Sequence, residues 1–220
     1  MKLHKLVLGP LRTNCYIVAS EKTKNAILFD PADSADEIHS FLNHHNYNLK
    51  IIALTHTHFD HILALNTLKN RLNPVVFLRP ESEATFKKCF KHCIKLCEIN
   101  MNDLEIKKHM IKADKILNDG DTIELDGIKV KSFHTPGHSD DSCCFLFKNE
   151  KTLISGDTLF YNSIGRTDIP TGNFKQEIES IKNKLFVLEN DVKVYPGHGW
   201  ETTIGFEKRN NQMVLENIDT

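Results

Sequence analysis

The segment Thr55-His56-Thr57-His58-Phe59-Asp60-His61 packs three imidazoles and a carboxylate into a few positions, all of them ligands for first-row metals. His56 and His58 are two residues apart, so in extended chain both project to one side. Asp60 and His61 follow one step later and aim at a second point. Three further groups stand downstream: His138 in His134-Thr135-Pro136-Gly137-His138, Asp157 in Ser155-Gly156-Asp157-Thr158, and His198 in Tyr195-Pro196-Gly197-His198-Gly199. Each follows a run that reads as a strand and sits in a turn containing glycine, so all can converge at one sheet edge. The chain holds 12 histidines in 220 residues, yet chance clustering does not account for ligand types recurring in strand-end turns. His134 is the nearest competitor to His138 and reads as structural.

The elements that must position these groups are legible around them. Leu49 to Leu54 is an apolar, β-branched run that reads as a buried strand, and Ile62 to Lys69 reads as the start of a helix. The first four ligands therefore lie on a strand-to-helix turn. Lys2–Leu8, Cys15–Ala19, Ala26–Phe29 and Pro74–Leu78 read as further strands. Ser34 and Glu37 have the spacing of a capping box, which predicts a helix burying Ile38, Phe41 and Leu42 and ending near Asn46, with His44 and His45 at its surface. Residues 81–117 are amphipathic, lack glycine and read as helical. Asp126-Gly127 between Thr122–Leu125 and Ile128–Phe133 is a two-residue hairpin signal. Cys143–Phe147 pairs with Thr152–Ser155, Asn173 to Phe186 is helical, Val192–Tyr195 is the last strand, and a helix closes the chain from Thr203. Strands in two runs with helices between and after them predict an α/β fold of two mixed sheets in one domain spanning residues 1–220.

Composition narrows the function. A formal net charge of −1 carries no polybasic signature, so nucleic acid is not an expected partner. The Lys87-Lys88 and Lys107-Lys108 pairs read as solvated helix faces, and His92 and His109 as exposed. No segment approaches the roughly 20 apolar residues of a spanning helix, no secretory signal opens the chain, and a cytoplasmic protein without a membrane partner is expected. Six cysteines in this length do not make a disulfide scaffold. Cys89, Cys93 and Cys97, beside Phe86, Phe90 and Ile94, form one helical stripe that reads as core, with a metal or redox site as the alternative.

The motif His56-x-His58-x-Asp60-His61, with the later His138, Asp157 and His198, resembles the signature of the metallo-β-lactamase-fold hydrolases. The match to the short glyoxalase II-like (hydroxyacylglutathione hydrolase-like) branch is closer still. It includes Thr13-Asn14-Cys15-Tyr16, Gly156-Asp157-Thr158-Leu159-Phe160, Ser163-Ile164-Gly165-Arg166-Thr167-Asp168 and Pro196-Gly197-His198-Gly199 with Glu201-Thr202-Thr203-Ile204-Gly205. This resemblance runs from about residue 3 to about 211 and implies the four-layer αββα sandwich. Two departures stand out: Leu63-Ala64 replaces a small pair after the metal motif, and Ser139-Asp140-Asp141-Ser142 follows the third histidine. The acidic pair, expected near the cleft, argues against a strongly anionic substrate. A C-terminal glutathione-gripping helical domain, present in long-form glyoxalase II, is not expected here.

The resemblance implies two divalent metal ions, zinc first with iron or manganese as alternatives. His56, His58 and His138 would hold one, Asp60, His61 and His198 the second, and Asp157 would bridge them. Metals so held lower the pKa of bound water from about 15.7 to about 7, making hydroxide available at neutral pH. The chemistry implied is hydrolysis of a small-molecule thioester or ester by a metal-bound hydroxide, with Asp60 as the catalytic carboxylate that orients it. Tyr161 and Asn162 are candidates to line the cleft. Arg166 is expected to pair with Asp168 and is a candidate substrate contact, as are Lys208 and Arg209 at an otherwise solvated helix end. Three alternatives stay open: a lactonase or other ester hydrolase, a mononuclear iron persulfide dioxygenase, and a non-catalytic metal-binding interaction module, which would tolerate erosion of ligand positions that are all present here.

Overall fold

The alternating strand Lys2–Leu8 (β1) starts a meander with Thr13–Ala19 (β2) and Asn25–Phe29 (β3), each antiparallel to the one before. Asn48–Ala53 (β4), Val75–Leu78 (β5) and Lys115–Ile116 (β6) then add in parallel, and the sheet order is the chain order. The computed structural model describes residues 1–96 and 112–217. The sequence readings at Cys93, Ile94, Cys97, Lys107-Lys108 and His109 lie outside the described residues or side chains.

A second sheet also has six strands, ordered from Thr202–Thr203 at one edge through 193–196, 152–156, 143–147 and 128–134 to Thr122–Leu125 at the other. It contains Thr122–Leu125 (β7), Ile128–His134 (β8), Cys143–Phe147 (β9), Thr152–Gly156 (β10), Lys193–Pro196 (β13) and Thr202–Thr203 (β14). The β7–β8 hairpin turns at Asp126 and Gly127, both at positive φ (51° and 84°), as a two-residue turn with the strands' own twist requires. Leu159–Phe160 (β11) and Ser163–Ile164 (β12) form a small ribbon beside it. β10 and β13 are parallel and the other neighbours antiparallel, so both sheets are mixed.

Burial follows from layering. β2 is buried at every position because both faces of its sheet are covered, which explains the apolar run from Cys15 to Ala19. On one face pack helices Ala35–His44 (α1), Leu65–Leu72 (α2) and Ser82–Leu96 (α3), through Ile38, Leu42, Leu65, Leu68, Phe86, Cys89 and Phe90. The other face meets the second sheet through Phe29, whose ring lies 4.9 Å from Phe145 and 5.9 Å from Phe147. Beyond the second sheet lie Phe174–Ser180 (α4), Ile204–Asn210 (α5) and Gln212–Leu215 (α6), packed through residues such as Ile178 and Ile204. The result is the expected αββα sandwich. Among the described residues no helix is long and apolar enough to cross a membrane.

Several local expectations need correction. Ser34 does precede α1, but it adopts a left-handed conformation (φ 53°) and its side chain caps nothing. A capping hydroxyl needs extended backbone; here the Glu37 and Ile38 amides instead donate to the Ser34 carbonyl. The metal motif runs into a short 3-10 turn at Phe59–His61, and the helix proper starts only at Leu65. The Leu63 and Ala64 amides donate to the carbonyls of Ala32 and Pro31, so this stretch docks on the loop after β3 instead of winding. Of the span 81–117, Ser82–Leu96 is helical, whereas Lys115–Ile116 is an edge strand and Leu117 is buried between the sheets. The helix from Phe174 widens into a π-helical turn at Ile181–Leu185. The four described cysteines Cys15, Cys89, Cys143 and Cys144 are free and buried. Burial raises the Cys89 thiol to about 11, and its sulfur donates to the Pro170 carbonyl at 2.9 Å.

Candidate metal centre

All seven predicted ligands come from turns at one edge of the sandwich. Thr55 to His61 follow β4, His138 follows β8, Asp157 follows β10 and His198 follows β13. The two sheets are tied together there. The Cys143 amide donates to the Thr55 carbonyl at 2.8 Å, the Asn14 amide to Gly197 at 2.7 Å, and Thr13 bridges His198. The Asn14 side-chain amide and the Tyr16 hydroxyl both donate to the Pro196 carbonyl, at 2.8 and 2.7 Å. The Thr13-Asn14-Cys15-Tyr16 segment thus clamps the loop that carries His198. Gly197 permits the approach, since a Cβ there would collide with the Asp157 carboxylate.

Three sets of donor atoms lie within 4.8 Å of one another: His56, His58 and His138; His56, His61 and Asp157; and Asp60, His61 and His198. The Asp157 carboxylate stands between the sets, 3.4 Å from His61 Nε2, 3.5 Å from His198 Nε2 and 3.6 Å from His138 Nε2. Several imidazoles are oriented by acceptors that demand a proton on Nδ1. His61 Nδ1 donates to Asp30 Oδ2 at 2.9 Å, His138 Nδ1 to the Arg166 carbonyl at 2.8 Å, and His198 Nδ1 to the Leu11 carbonyl at 3.2 Å. With Nδ1 so committed, Nε2 is the ring atom left to face a ligand.

Whether a cation fits can be judged from atoms with nothing else to do. His56 Nε2, His58 Nε2, His61 Nε2 and Asp157 Oδ1 are buried without a hydrogen-bond partner. Such an atom costs about 1–3 kcal/mol, and four converging on one volume are accounted for by coordination. The donor set, imidazole and carboxylate without thiolate, suits zinc, iron or manganese.

The electrostatics divide the site. Burial strips water from His56, His58 and His138 and lowers all three imidazoles, His58 to about 3. They stand as neutral lone-pair donors. On the other side burial also opposes charge, but mutual attraction prevails. His61 and His198 bring Asp60 down to about 2 and hold Asp157 well below the carboxylate range. The carboxylates in turn hold His61 well above its usual value and His198 near 10.

Four residues were not read as supports of the site from the sequence. Asp30, at the end of β3, accepts from the Thr55 amide, the Thr55 hydroxyl and His61. Thr13 donates to Asp60 Oδ2 at 2.7 Å. Glu177, fully buried on α4, accepts from the His138 amide at 2.9 Å, and burial raises its carboxyl well above normal. Asp141 is the fourth and corrects the expectation of an acidic pair at the cleft. It is fully buried, accepts from Thr57 and Ser139 hydroxyls at 2.8 Å, and does not line the cavity, while Asp140 faces Lys88.

The centre opens into a cavity of about 340 Å³. Arg166 lines it and pairs with Asp168 through two bonds of 2.8 and 2.9 Å. The other substrate-contact candidates fall elsewhere. Tyr161 stacks on Phe206 and lines a separate groove with Tyr195 and Glu201. The Asn162 amide donates to the Glu207 carboxylate, and Lys208 donates to the Leu188 carbonyl and to Asn190. Asn162, Lys208 and the exposed Arg209 are not among the cavity's lining residues. Helical phase explains Lys208: on α5 it points to the loop before β13, not to the sheet edge.

An αββα sandwich with clustered imidazole and carboxylate donors at the sheet edge defines a class of metal-dependent hydrolases. The chain belongs to the metallo-beta-lactamase superfamily, whose sequence profile matches residues 8–198. It is 30% identical over 214 residues to a hydroxyacylglutathione hydrolase, GloC, of Haemophilus influenzae, covering 97% of this chain and 98% of that one. Among solved structures, the BLEG-1 B3 metallo-beta-lactamase superposes with a TM-score of 0.87 at 31% identity, over 97% of this chain and 99% of that chain. A di-iron-bound protein, TTHA1623, does so with a TM-score of 0.82 at 30% identity, over 94% and 98%.

Proposed function

We propose that this chain is a thioester hydrolase of the hydroxyacylglutathione hydrolase type that uses two divalent cations. His56, His58 and His138 would hold one, Asp60, His61 and His198 the other, with Asp157 shared. The observation that carries the reading is the complete second donor set beside the first. Retention of Asp60, His61 and His198 beside the first set favours two cations over one, and the presence of every ligand position favours catalysis over a passive binding module. The 30% identity to GloC over nearly the whole of both chains supports thioesters as the substrate class.

Bound cations would supply positive charge to polarise a carbonyl and to ionise water near neutral pH. The chain's own contribution is positional. Asp60 is ionised at neutral pH, having been brought to about 2. Thr13 anchors its Oδ2, so the carboxylate is an oriented acceptor for a proton of the attacking water. His138 is fixed from both ends, its amide on Glu177 and its Nδ1 on the Arg166 carbonyl. Fixed donors need no reorganisation as charge develops.

The deciding experiment is hydrolysis of S-D-lactoylglutathione by purified protein, with metal content measured on the same sample. Turnover that vanishes with chelator and returns with zinc, at two metals per chain, is the expected result. One iron per chain with oxygen uptake on glutathione persulfide would overturn the reading. Two metals with activity confined to lactones would move it to ester hydrolysis.

A further inference from the structure

The walls of the cavity specify more than the reaction. Leu11, Phe59, Phe160, Ile164 and Ile169 surround Asp60, Asp157, His138 and His198. These five side chains come from separate segments: the β1–β2 turn, the metal motif, each strand of the β11–β12 ribbon, and the loop after it. Apart from the histidines, Arg166 is the one cationic side chain among the described lining residues. Its guanidinium is held bidentately by Asp168, and that pairing brings the Asp168 carboxyl to about 2. The positive charge at the cavity is therefore paired with an exposed negative one.

A glutathionyl thioester carries two carboxylates and an ammonium, and a site that recognises such groups needs oppositely charged or hydrogen-bonding partners placed for them. Outside the metal-site groups, the described walls offer Arg166, Ser163 and otherwise hydrocarbon. At about 340 Å³ the cavity is at the small end of the roughly 300–1,000 Å³ typical of ligand sites. That suits an acyl chain beside the reacting carbonyl and is small for a whole tripeptide thioester. Resting on the reading above only for thioester hydrolysis, and departing from it on the hydroxyacyl and glutathionyl groups, we propose that the cavity holds the acyl half of the substrate, that this acyl group is apolar, and that the thiol half stays outside. Selection is then by acyl hydrocarbon, and the charges of the thiol contribute little.

Two matched thioester series, acetyl to octanoyl, test this on the metal-loaded protein: one on glutathione, one on uncharged N-acetylcysteamine. Burial of each methylene is worth about 0.8 kcal/mol, so kcat/KM should rise about fourfold per methylene until the cavity is filled. Exchanging glutathione for N-acetylcysteamine should cost less than about threefold. Ile169→Asn should flatten the chain-length dependence. An independent readout is calorimetric binding of methyl, butyl and hexyl thioethers of N-acetylcysteamine. It should tighten with chain length and show a negative heat-capacity change. A flat chain-length profile in both assays, or a loss beyond about thirtyfold on removing glutathione, would overturn the proposal. If neither series is hydrolysed but the thioethers still bind in order of chain length, the thioester reading fails and the apolar cavity stands.

Discussion

The two halves of the metal centre meet the same difficulty, polar groups without water, in opposite ways. The imidazole half, His56, His58 and His138, gives up its protons: burial lowers all three and leaves lone pairs with no partner at His56 and His58 Nε2. The carboxylate half, Asp60, His61, Asp157 and His198, sets opposite charges against one another, which without a bound cation lowers both carboxyls and raises both imidazoles. Their supports differ to match. Backbone and a protonation-favouring carboxyl hold the first, through the Arg166 carbonyl and Glu177. A buried carboxylate and a hydroxyl hold the second, Asp30 on His61 and Thr13 on Asp60. Imidazoles are thus prepared differently a few ångströms apart, and it is the neighbouring Asp60 and Asp157 carboxylates that make most of the difference.

Removing those supports should break the halves separately. Asp30→Ala should have the largest effect, because it leaves the buried His61 Nδ1–H and the Thr55 amide and hydroxyl without their acceptor. Loss of one partner of a buried pair costs about 3–5 kcal/mol, readable by urea denaturation; a cost under about 1 kcal/mol would mean Asp30 does not hold this half. Asp141 comes next and acts under the imidazole half through Thr57. Burial raises it to about 6 against 3.8 for the free group. The folded chain therefore binds its proton more tightly, and stability falls as pH rises from about 4 to about 6, by roughly 3 kcal/mol at most. Asp141→Asn should lack that component, so the difference between the two proteins' denaturation free energies should vary across this window and level off above it. A constant difference would refute the assignment.

Thr13→Ala should weaken metal binding at the carboxylate half by about 10–100-fold, the usual worth of a group that orients a ligand. Competition with a graded chelator should reveal one weakened site and one unchanged, and equal weakening of both would erase the distinction between the halves. Asn173→Ala is the mildest test. The Asn173 side chain accepts from the Gln176 amide at the start of α4, the helix that brings Glu177 to His138, and its loss should cost about 1 kcal/mol of stability with the metal sites intact.

Much of the fold was legible because burial leaves a signature in composition. The apolar end of β4, Ile51 to Ala53, read correctly for that reason, and the hairpin at Asp126-Gly127 because its turn needs positive φ at both residues. Errors came where tertiary contacts outvoted local preference. Ser34 has capping chemistry but the wrong backbone conformation, and Lys115–Ile116 becomes a strand because β5 offers an open edge. At the site, all seven candidate ligands were visible since histidines and aspartates recur in turns that follow four separate strands, and the structure brings their donor atoms together. Their supports were less visible. Asp30 before Pro31 looks like a turn residue, and Thr13 carries no metal chemistry. Glu177 left one trace, a carboxylate beside the apolar face formed by Ile178, Ile181 and Leu185.

By itself the sequence determined the donor inventory, the strand ends that carry it and the layered architecture, since these depend on residue type and periodicity along a single chain. Only the tertiary structure decided which donors share a point, which are neutral and which charged, and which flanking side chains reach the cavity. Those properties depend on the distances between separate turns and on how completely each group is shut off from water, and no local run of residues encodes either.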